Sequence, residues 1–467
     1  MIVHWHRRDL RGADNVALAV AAERGDVVPV FVLDPAILDH ASPIRVACLC
    51  DALADLRAWY RERGSDLLVE RGDPAAVLVD VAERYGADEV RWNADYSGLA
   101  AERDRAVSAA LEAAGVAARE CRDELLHEPG SIAPNEGEHY AVFSYFWTKW
   151  RDREKRDPLD PPAADALADV SGDRLPSPAD LDFDDPEATP PAVTREAARE
   201  RLSTFCADDI YRYADERDYP AADATSRLSV HLKWGTVGIR ETYAATADAL
   251  ERADGEDARA SVEAFRRQLA WREFYAHVLA YNPETVREDF RGYENEIEWR
   301  NDPEELAAWK AGETGVPIVD AGMRQLREEG WVHNRVRMIV AAFLTKDLLI
   351  DWREGYDWYR RKLADHDTAS DVGGWQWAAS TGTDAQPYFR VFNPTKQGRD
   401  YDPDAAYVRR YVPELADATA EQIHGWADLD PAEREAVAPD YPAPIVDHAR
   451  RREAAIEAFE RARGKSD

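Results

Sequence analysis

Between Phe265 and Ala280 the chain reads FRRQLAWREFYAHVLA, and on a helix Gln268, Trp271, Arg272 and Tyr275 fall at i, i+3, i+4 and i+7. One face then carries a flat aromatic beside hydrogen-bonding groups, which suits stacking on a nucleobase or a flavin. The same pattern also describes an amphipathic helix whose Trp is buried core. In Val332–Met338, VHNRVRM, the residues Asn334, Arg337 and Met338 share a face, with Arg337 either at the surface or anchoring an anionic cofactor. Thr225–Ser229, TSRLS, follows an acidic turn and precedes a helical run. Hydroxyls and backbone N–H groups at a helix start hold anions, and they also make ordinary caps. Asp365 and Asp367, in LADHDTASDVGGWQWAAS, fit either caps or polar ligands. The Gly-Gly ahead of Trp375 and Trp377 permits the close backbone approach that a bound planar ring needs.

These segments lie in the second part of the chain, where almost every periodic stretch from Thr194 to Arg463 is helical. The strongest run, Gly330–Asp351, carries Val336, Ile339, Val340, Phe343, Leu344 and Leu348 at helical spacing. The first 130 residues alternate instead. Apolar runs predict strands at Ile2–Trp5, Val27–Leu33, Asp66–Glu70, Glu89–Trp92 and Val116–Cys121, with helices at Arg45–Arg63, Pro74–Tyr85 and Leu99–Ala114. The expected fold is an α/β domain over 1–130, a parallel five-stranded sheet covered on both faces, followed by a large all-α domain over 194–467. The loop after the first strand reads HRRDLRGADN and lacks GxGxxG, so a Rossmann-type dinucleotide site is not expected there. Residues 131–193, rich in Pro, Asp and Ala, read as a long interdomain linker.

Composition narrows the classes further. Across 467 residues, 91 Asp+Glu oppose 59 Lys+Arg, a net charge of −32, and only eight of the cations are Lys. Such a surface stays hydrated in concentrated salt and repels nucleic acid and anionic membranes except at a local basic site. No apolar run is long enough to span a membrane, and the N-terminus lacks a signal-peptide core, so a cytoplasmic location is expected. Cys48, Cys50, Cys121 and Cys206 form no CxxC pair or His/Cys metal spacing, and neither a disulfide scaffold nor a metal site is expected.

Taken together, WHRRDLRGADN, TSRLS, WREFY, HNRVRM, the Asp-x-Asp before GGWQW, and YPAPIVDH resemble the photolyase/cryptochrome flavoprotein family. The resemblance runs in the family's order from Val3 to about Arg450, and is closest to microbial class I cyclobutane pyrimidine dimer photolyases. It implies that the helical domain binds FAD in a folded conformation through Tyr213, Thr225, Ser226, Arg227, Leu228, Ser229, Asn334, Arg337, Asp365 and Asp367. It implies an electron-transfer chain of Trp375, Trp352 and Trp299. It implies DNA or lesion contacts at Arg217, Gln268, Trp271, Arg272, Tyr275, Asn334, Met338, Trp377 and Lys396. Arg45, Asp95 and Lys233 resemble positions that hold an antenna chromophore, with deazaflavin favoured over folate. The implied reaction is light-driven splitting of cyclobutane dimers in UV-damaged DNA, by a monomer with no obligate protein partner.

Two positions depart from the dimer-photolyase pattern. Gln268 stands where the family usually has Glu, as in (6-4) photolyases, yet those enzymes carry a His pair where this chain has Asn334 and Met338. Asp371 stands where photolyases usually have Asn, as in plant cryptochromes. Dimer repair is therefore the leading expectation, a cryptochrome-like light sensor the alternative, and (6-4) repair a more distant one.

Overall fold

The computed structural model describes residues 1–464; the end of the expected 194–467 domain, residues 465–467, lies outside them. Five strands, β1 (Ile2–His6), β2 (Val27–Leu33), β3 (Leu68–Arg71), β4 (Glu89–Asn93) and β5 (Ala117–Cys121), form one parallel sheet in the order β3-β2-β1-β4-β5. Ile2 pairs with Val27 on one side and with Glu89 on the other, so β1 is central and the strand order reverses beside it. Every residue of β1, β2 and β4 is buried, as expected of parallel strands covered on both faces. Leu18 and Ala21 from the Val16–Ala22 helix, and Leu49, Leu53, Leu56 and Tyr60 from the Pro43–Arg61 helix, pack with Ile2 and Phe31. Val3, Trp5 and Val30 pack on the opposite side with Leu78, Val81, Val107 and Leu111. Those four come from the helices Pro74–Tyr85 and Gly98–Ala113. Strand and helix bounds thus fall within two residues of those predicted.

The rest is helical, beginning at Arg195 with Thr194 as the side-chain cap. Two expectations need correction. Residues 131–193 are not a plain linker, because Phe143–Asp152 is a helix whose Phe143, Phe146 and Trp150 are buried in the helical core. Phe143, Phe146 and Trp150 stand at i, i+3 and i+7, a helical signal masked by the Pro- and Asp-rich sequence that follows. Beyond it, Leu167, Leu181 and Val193 return to the sheet's core, and Leu167 bridges Val27. The Gly330–Asp351 run is not one helix either. Asn334–Ala342 is α-helical, Phe343–Asp347 widens into a π-turn, and Leu349 adopts φ 49° before a new helix starts at Trp352. Among the described residues no helix is long and apolar enough to cross a membrane, and all four cysteines are free.

The α/β and helical parts meet through buried charge. Arg240 donates to Asp14 Oδ1 at 2.6 Å and to Asp123 Oδ1 at 2.5 Å. Arg11 reaches Asp123 from the other side and donates to the Gly235 carbonyl at 3.1 Å. Gly235, at φ 69°, lets the backbone of Arg8 approach so closely that a Cβ would lie 2.0 Å from its carbonyl oxygen.

Candidate active site

Three segments build the site: the Gly255–Tyr281 helix, the Asn334–Ala342 helix, and the Asp365–Ala379 stretch that contains the Thr368–Ala379 helix. Arg337 is its electrostatic centre. Its Nη2 donates to both Asp365 oxygens at 2.8 and 3.0 Å, its Nε to the Val332 carbonyl at 2.9 Å, and its Nη1 lies 3.5 Å from Asp371 Oδ1. Burial works against that guanidinium, but Asp365 and Asp371 outweigh it and hold the charge firmly. The far oxygen of Asp371 lies 2.6 Å from His366 Nδ1. His366 titrates below its usual range because burial outweighs the pull of Asp371.

Asp367 is a cap, and it also carries an ion pair. It caps the Thr368–Ala379 helix by accepting from Ser370 N at 3.0 Å, and it receives Arg8 Nη2 at 2.6 Å. Burial opposes its ionisation, yet Arg8, Arg272 and Lys233 hold it far below the carboxylate range. Arg8 also faces Glu124 at 3.2 Å and Asp95 at 3.7 Å, tying the β1 exit loop to the helical site.

The TSRLS segment supplies an unmet hydroxyl. Thr225 Oγ1 is buried without a hydrogen-bond partner, while Ser226 Oγ accepts from Leu228 N at 3.4 Å. Leu228 is buried and Ser229 exposed; the helix that begins there, Ser229–Trp234, is short and has no side-chain cap. Arg227, at φ 47°, pairs with Asp223 and Glu329 and lies over Trp331. Tyr213 is buried beneath the guanidinium of Arg217 at 5.5 Å.

Trp375 is buried edge-on to Tyr359 at 5.0 Å and to Trp309 at 6.1 Å. A Cβ at Gly355 would sit 2.1 Å from its ring, so glycine there seats Trp375 on the turn that Trp352 begins. Trp352 is fully buried; its Nε1 donates to Asp289 at 2.8 Å, and Arg353 lies over its ring at 4.7 Å. The half-buried Trp299 packs on Phe459, and Arg300 N to Leu349 O at 2.7 Å holds its segment beside the start of the Trp352 helix.

On the Gly255–Tyr281 helix Trp271 stacks on Phe143 at 3.7 Å and 9°, and Gln268 turns its amide to its own helix at Ala264 O, 3.3 Å away. Tyr275 lies against Gly373, where a Cβ would meet its ring at 2.3 Å, while Gly374 faces open space. The first glycine therefore makes room for a protein ring and the second leaves a gap. Arg272 departs from the lesion group. It binds Glu124 Oε1 at 3.0 Å and, with Arg8, Asp95 and Glu124, lines a small cleft at the β1 exit. It does so because i+4 on this helix turns toward the α/β part. Asn334 is exposed with its amide 3.8 Å from Met338 Sδ, Trp377 packs near Phe392, and Lys396 pairs with Asp400 at 2.6 Å on the surface.

The three antenna candidates are arranged unevenly. Asp95 lines the small cleft at the β1 exit. Arg45 instead donates to the carbonyls of Arg360 and His40 and lies outside that lining. Lys233 is half-buried within the field of Arg8, Asp367, Arg45 and Asp95, and desolvation lowers it to about 7.

Sequence reasoning missed Arg8, His366, Tyr359, Asp289 and Phe143. Arg8 and His366 stood inside quoted motifs, and Phe143 had its helical spacing. Tyr359 and Asp289 carried no local signal. The residues present fit a flavin dinucleotide: Thr225 Oγ1, Tyr359 OH and Trp375 Nε1 are buried polar atoms with no protein partner, and Arg337 supplies a fixed cation.

Comparison with known proteins agrees along the whole chain. Residues 2–164 match the family described as DNA photolyase, and residues 265–461 the FAD binding domain of DNA photolyase. A deoxyribodipyrimidine photo-lyase of Halobacterium salinarum is 59% identical over 99% of this chain and 100% of its own length. A bacterial class III photolyase from Agrobacterium tumefaciens superposes with a TM-score of 0.89 at 35% identity, covering 99% of this chain and 98% of that one. An archaeal photolyase from Sulfolobus tokodaii, solved with two FAD molecules, superposes with a TM-score of 0.83 at 32% identity, covering 98% and 99%.

Proposed function

The chain belongs to the DNA photolyase family, and from that premise we propose that it is a deoxyribodipyrimidine photo-lyase, a light-driven DNA repair enzyme that splits cyclobutane pyrimidine dimers. The observation that carries this reading is its end-to-end correspondence with the halobacterial enzyme of that name. FAD, when bound, supplies the photoexcited electron donor for ring opening and takes the electron back afterwards.

The chain's own residues hold and tune the reactants. Tyr213, Thr225–Ser229, Asn334, Arg337, Asp365 and Asp367 hold the dinucleotide, and Arg337, half-buried beside two carboxylates, favours negative charge on a reduced ring. Trp271, Trp377 and Met338 wall the lesion, Gln268 donates to a pyrimidine carbonyl once its amide leaves Ala264 O, and Arg217 and Lys396 contact the strand from which the dimer is flipped. Tyr275 packs behind this wall.

Trp299, Trp352 and Trp375 relay electrons inward when the flavin is oxidised. The Asp289 carboxylate on the Trp352 N–H favours positive charge on that ring, while Arg353 above it opposes it. A second chromophore occupies the α/β side, a deazaflavin rather than a folate, held by Asp95 and Lys233 with Arg45 nearby. The Sulfolobus relative with two FAD molecules supports a second chromophore of some kind. The units act as an antenna domain at 1–130, a joining segment at 131–193 and a catalytic domain at 194–467, in a cytoplasmic monomer.

Purified, chemically reduced protein given thymine-dimer DNA under blue light tests this, with dimers counted by HPLC. Loss of dimer supports the enzyme. Dimers left intact while the flavin still cycles under light favour the sensor, for which Asp371 against His366 is the specific observation. Gln268→Glu is expected to retain dimer repair, and Gln268→Leu to lose roughly 1–3 kcal/mol of binding or yield, the scale of one unmet polar partner.

A further inference from the structure

His4 and His6 stand two residues apart on β1 and so share a face of the sheet, and the turn that follows carries Asp9 back to them. His4 Nε2 lies 3.8 Å from Asp9 Oδ2, and His6 Nδ1 lies 3.6 Å from Asp9 Oδ1. The two imidazoles meet edge to face at 4.2 Å between centroids. One ligand atom from each residue can be chosen so that all three fall within 4.8 Å of one another.

His4 is 0% exposed, and neither of its ring nitrogens has a hydrogen-bond partner. A dry imidazole left unmet carries a desolvation cost that a cation bound to its lone pair removes. We propose that His4, His6 and Asp9 form a structural site for one divalent transition metal of the zinc type.

The dimensions suit that ion. Tetrahedral ligands about 2.0–2.1 Å from zinc stand about 3.3 Å apart, so gaps that now reach up to 4.8 Å close with movements of up to about 1.5 Å shared among the three side chains. The Asp9 carbonyl, 3.2 Å from His6 Nδ1, offers a further oxygen. The surroundings already hold the ligands in place. Tyr60 OH lies 2.7 Å from His6 Nε2, and the Asp9 carboxylate receives Arg7 N–H at 2.7 Å, Asn15 Nδ2 at 2.9 Å and the Asn93 amide. Partners of this kind fix ring orientation and ligand geometry at metal sites. Two imidazoles and a carboxylate, all buried, make a closed site, which belongs to structure and not to turnover.

Its location gives it a task. The trio closes the exit of the central strand, at the point where strand order reverses, and Arg8 lies inside the loop it clamps. The metal would fix the loop from which Arg8 reaches Asp367. The expectation of no metal site rested on the cysteines; a His-x-His on a strand is a separate signal.

The test loads full-length protein with zinc chloride, removes loose metal by dialysis and measures bound metal by elemental analysis, with cobalt chloride as a spectroscopic substitute. One equivalent of zinc per chain is expected, with visible ligand-field bands from cobalt. His4→Gln and His6→Phe should each fall below about a tenth of an equivalent, with far-UV circular dichroism and flavin content confirming that they fold. A strong chelator should lower the melting temperature of the wild type and leave that of His4→Gln unchanged. Wild-type protein that takes up neither ion overturns the proposal, as does metal retained in both variants. Should both variants fail to fold, the wild-type stoichiometry and chelator shift decide alone.

Discussion

Two regions of this molecule hold buried charge and treat it differently. At the junction between sheet and helices, Arg11 and Arg240 share Asp14 and Asp123, and their guanidinium groups are spent on those carboxylates and nearby carbonyls. In the helical part Arg337 leans on Asp365 and Asp371, while Thr225 Oγ1, Tyr359 OH and Trp375 Nε1 have no protein partner. A satisfied network fixes position; an incomplete one, lined by rings, leaves bonds for a ligand to make. The junction is therefore the part that stiffens the molecule, and the pocket the part that works.

The sharpest way to break this contrast is Arg240→Met. It strands Asp14 and Asp123 with less counter-charge in a dry site, and a loss of about 3–5 kcal/mol in urea unfolding is expected. A loss below about 1 kcal/mol would mean the junction is not the stiff element. Next, Trp375→Phe replaces the easily oxidised ring beside the pocket. Photoreduction of oxidised flavin, followed by absorbance under blue light, should slow by about 100-fold, equivalent to about 2.7 kcal/mol. Repair by chemically reduced protein should stay near wild type, whereas photoreduction at the wild-type rate sinks the relay.

Gly355→Ala sharpens the contrast on the pocket side. Alanine gains about 1 kcal/mol of helix propensity, but its Cβ would lie 2.1 Å from Trp375 and 2.7 Å from Leu344. Overpacking of this kind costs about 1–3 kcal/mol, so a net destabilisation near 1 kcal/mol is expected by thermal unfolding, together with slowed photoreduction.

An effect visible only as pH is varied concerns Glu273, buried on the Gly255–Tyr281 helix and accepting from Leu126 and His127 N–H at 2.9 and 2.8 Å. Burial raises it from 4.5 to about 7, with those backbone donors pulling the other way. The folded chain then holds this proton more tightly than the unfolded chain, so stability falls as pH rises from about 4.5 to 7 and levels off above. Glu273→Gln should remove that slope, changing the pH 5 to pH 7 difference by about 2 kcal/mol in paired urea titrations. An unchanged slope would show that Glu273 is ionised throughout.

Much of the fold was legible because it is written locally. Apolar runs of strand length and helical spacing report backbone hydrogen bonding and periodic burial within a few residues, and the strands and helices of the α/β part formed within two residues of expectation. The face carrying Gln268, Trp271 and Tyr275 was legible for the same reason. The π-turn at Phe343–Asp347 was not, because an apolar pattern at helical spacing does not distinguish a continuous helix from one that widens to seat side chains beneath it.

The sequence by itself determined the order of elements, the motifs that mark the family, and which residues on a single helix share a face. Tertiary structure decided which of those residues meet. Arg8 reaches Asp367 across 359 positions, Phe143 covers Trp271 from a segment that reads as linker, Arg272 turns from the lesion side to Glu124, and Asp9 folds back on His4 and His6. Local patterns follow from the backbone's own periodicity, whereas such meetings depend on strand order and on how buried side chains fill the space between elements, which no window of sequence contains.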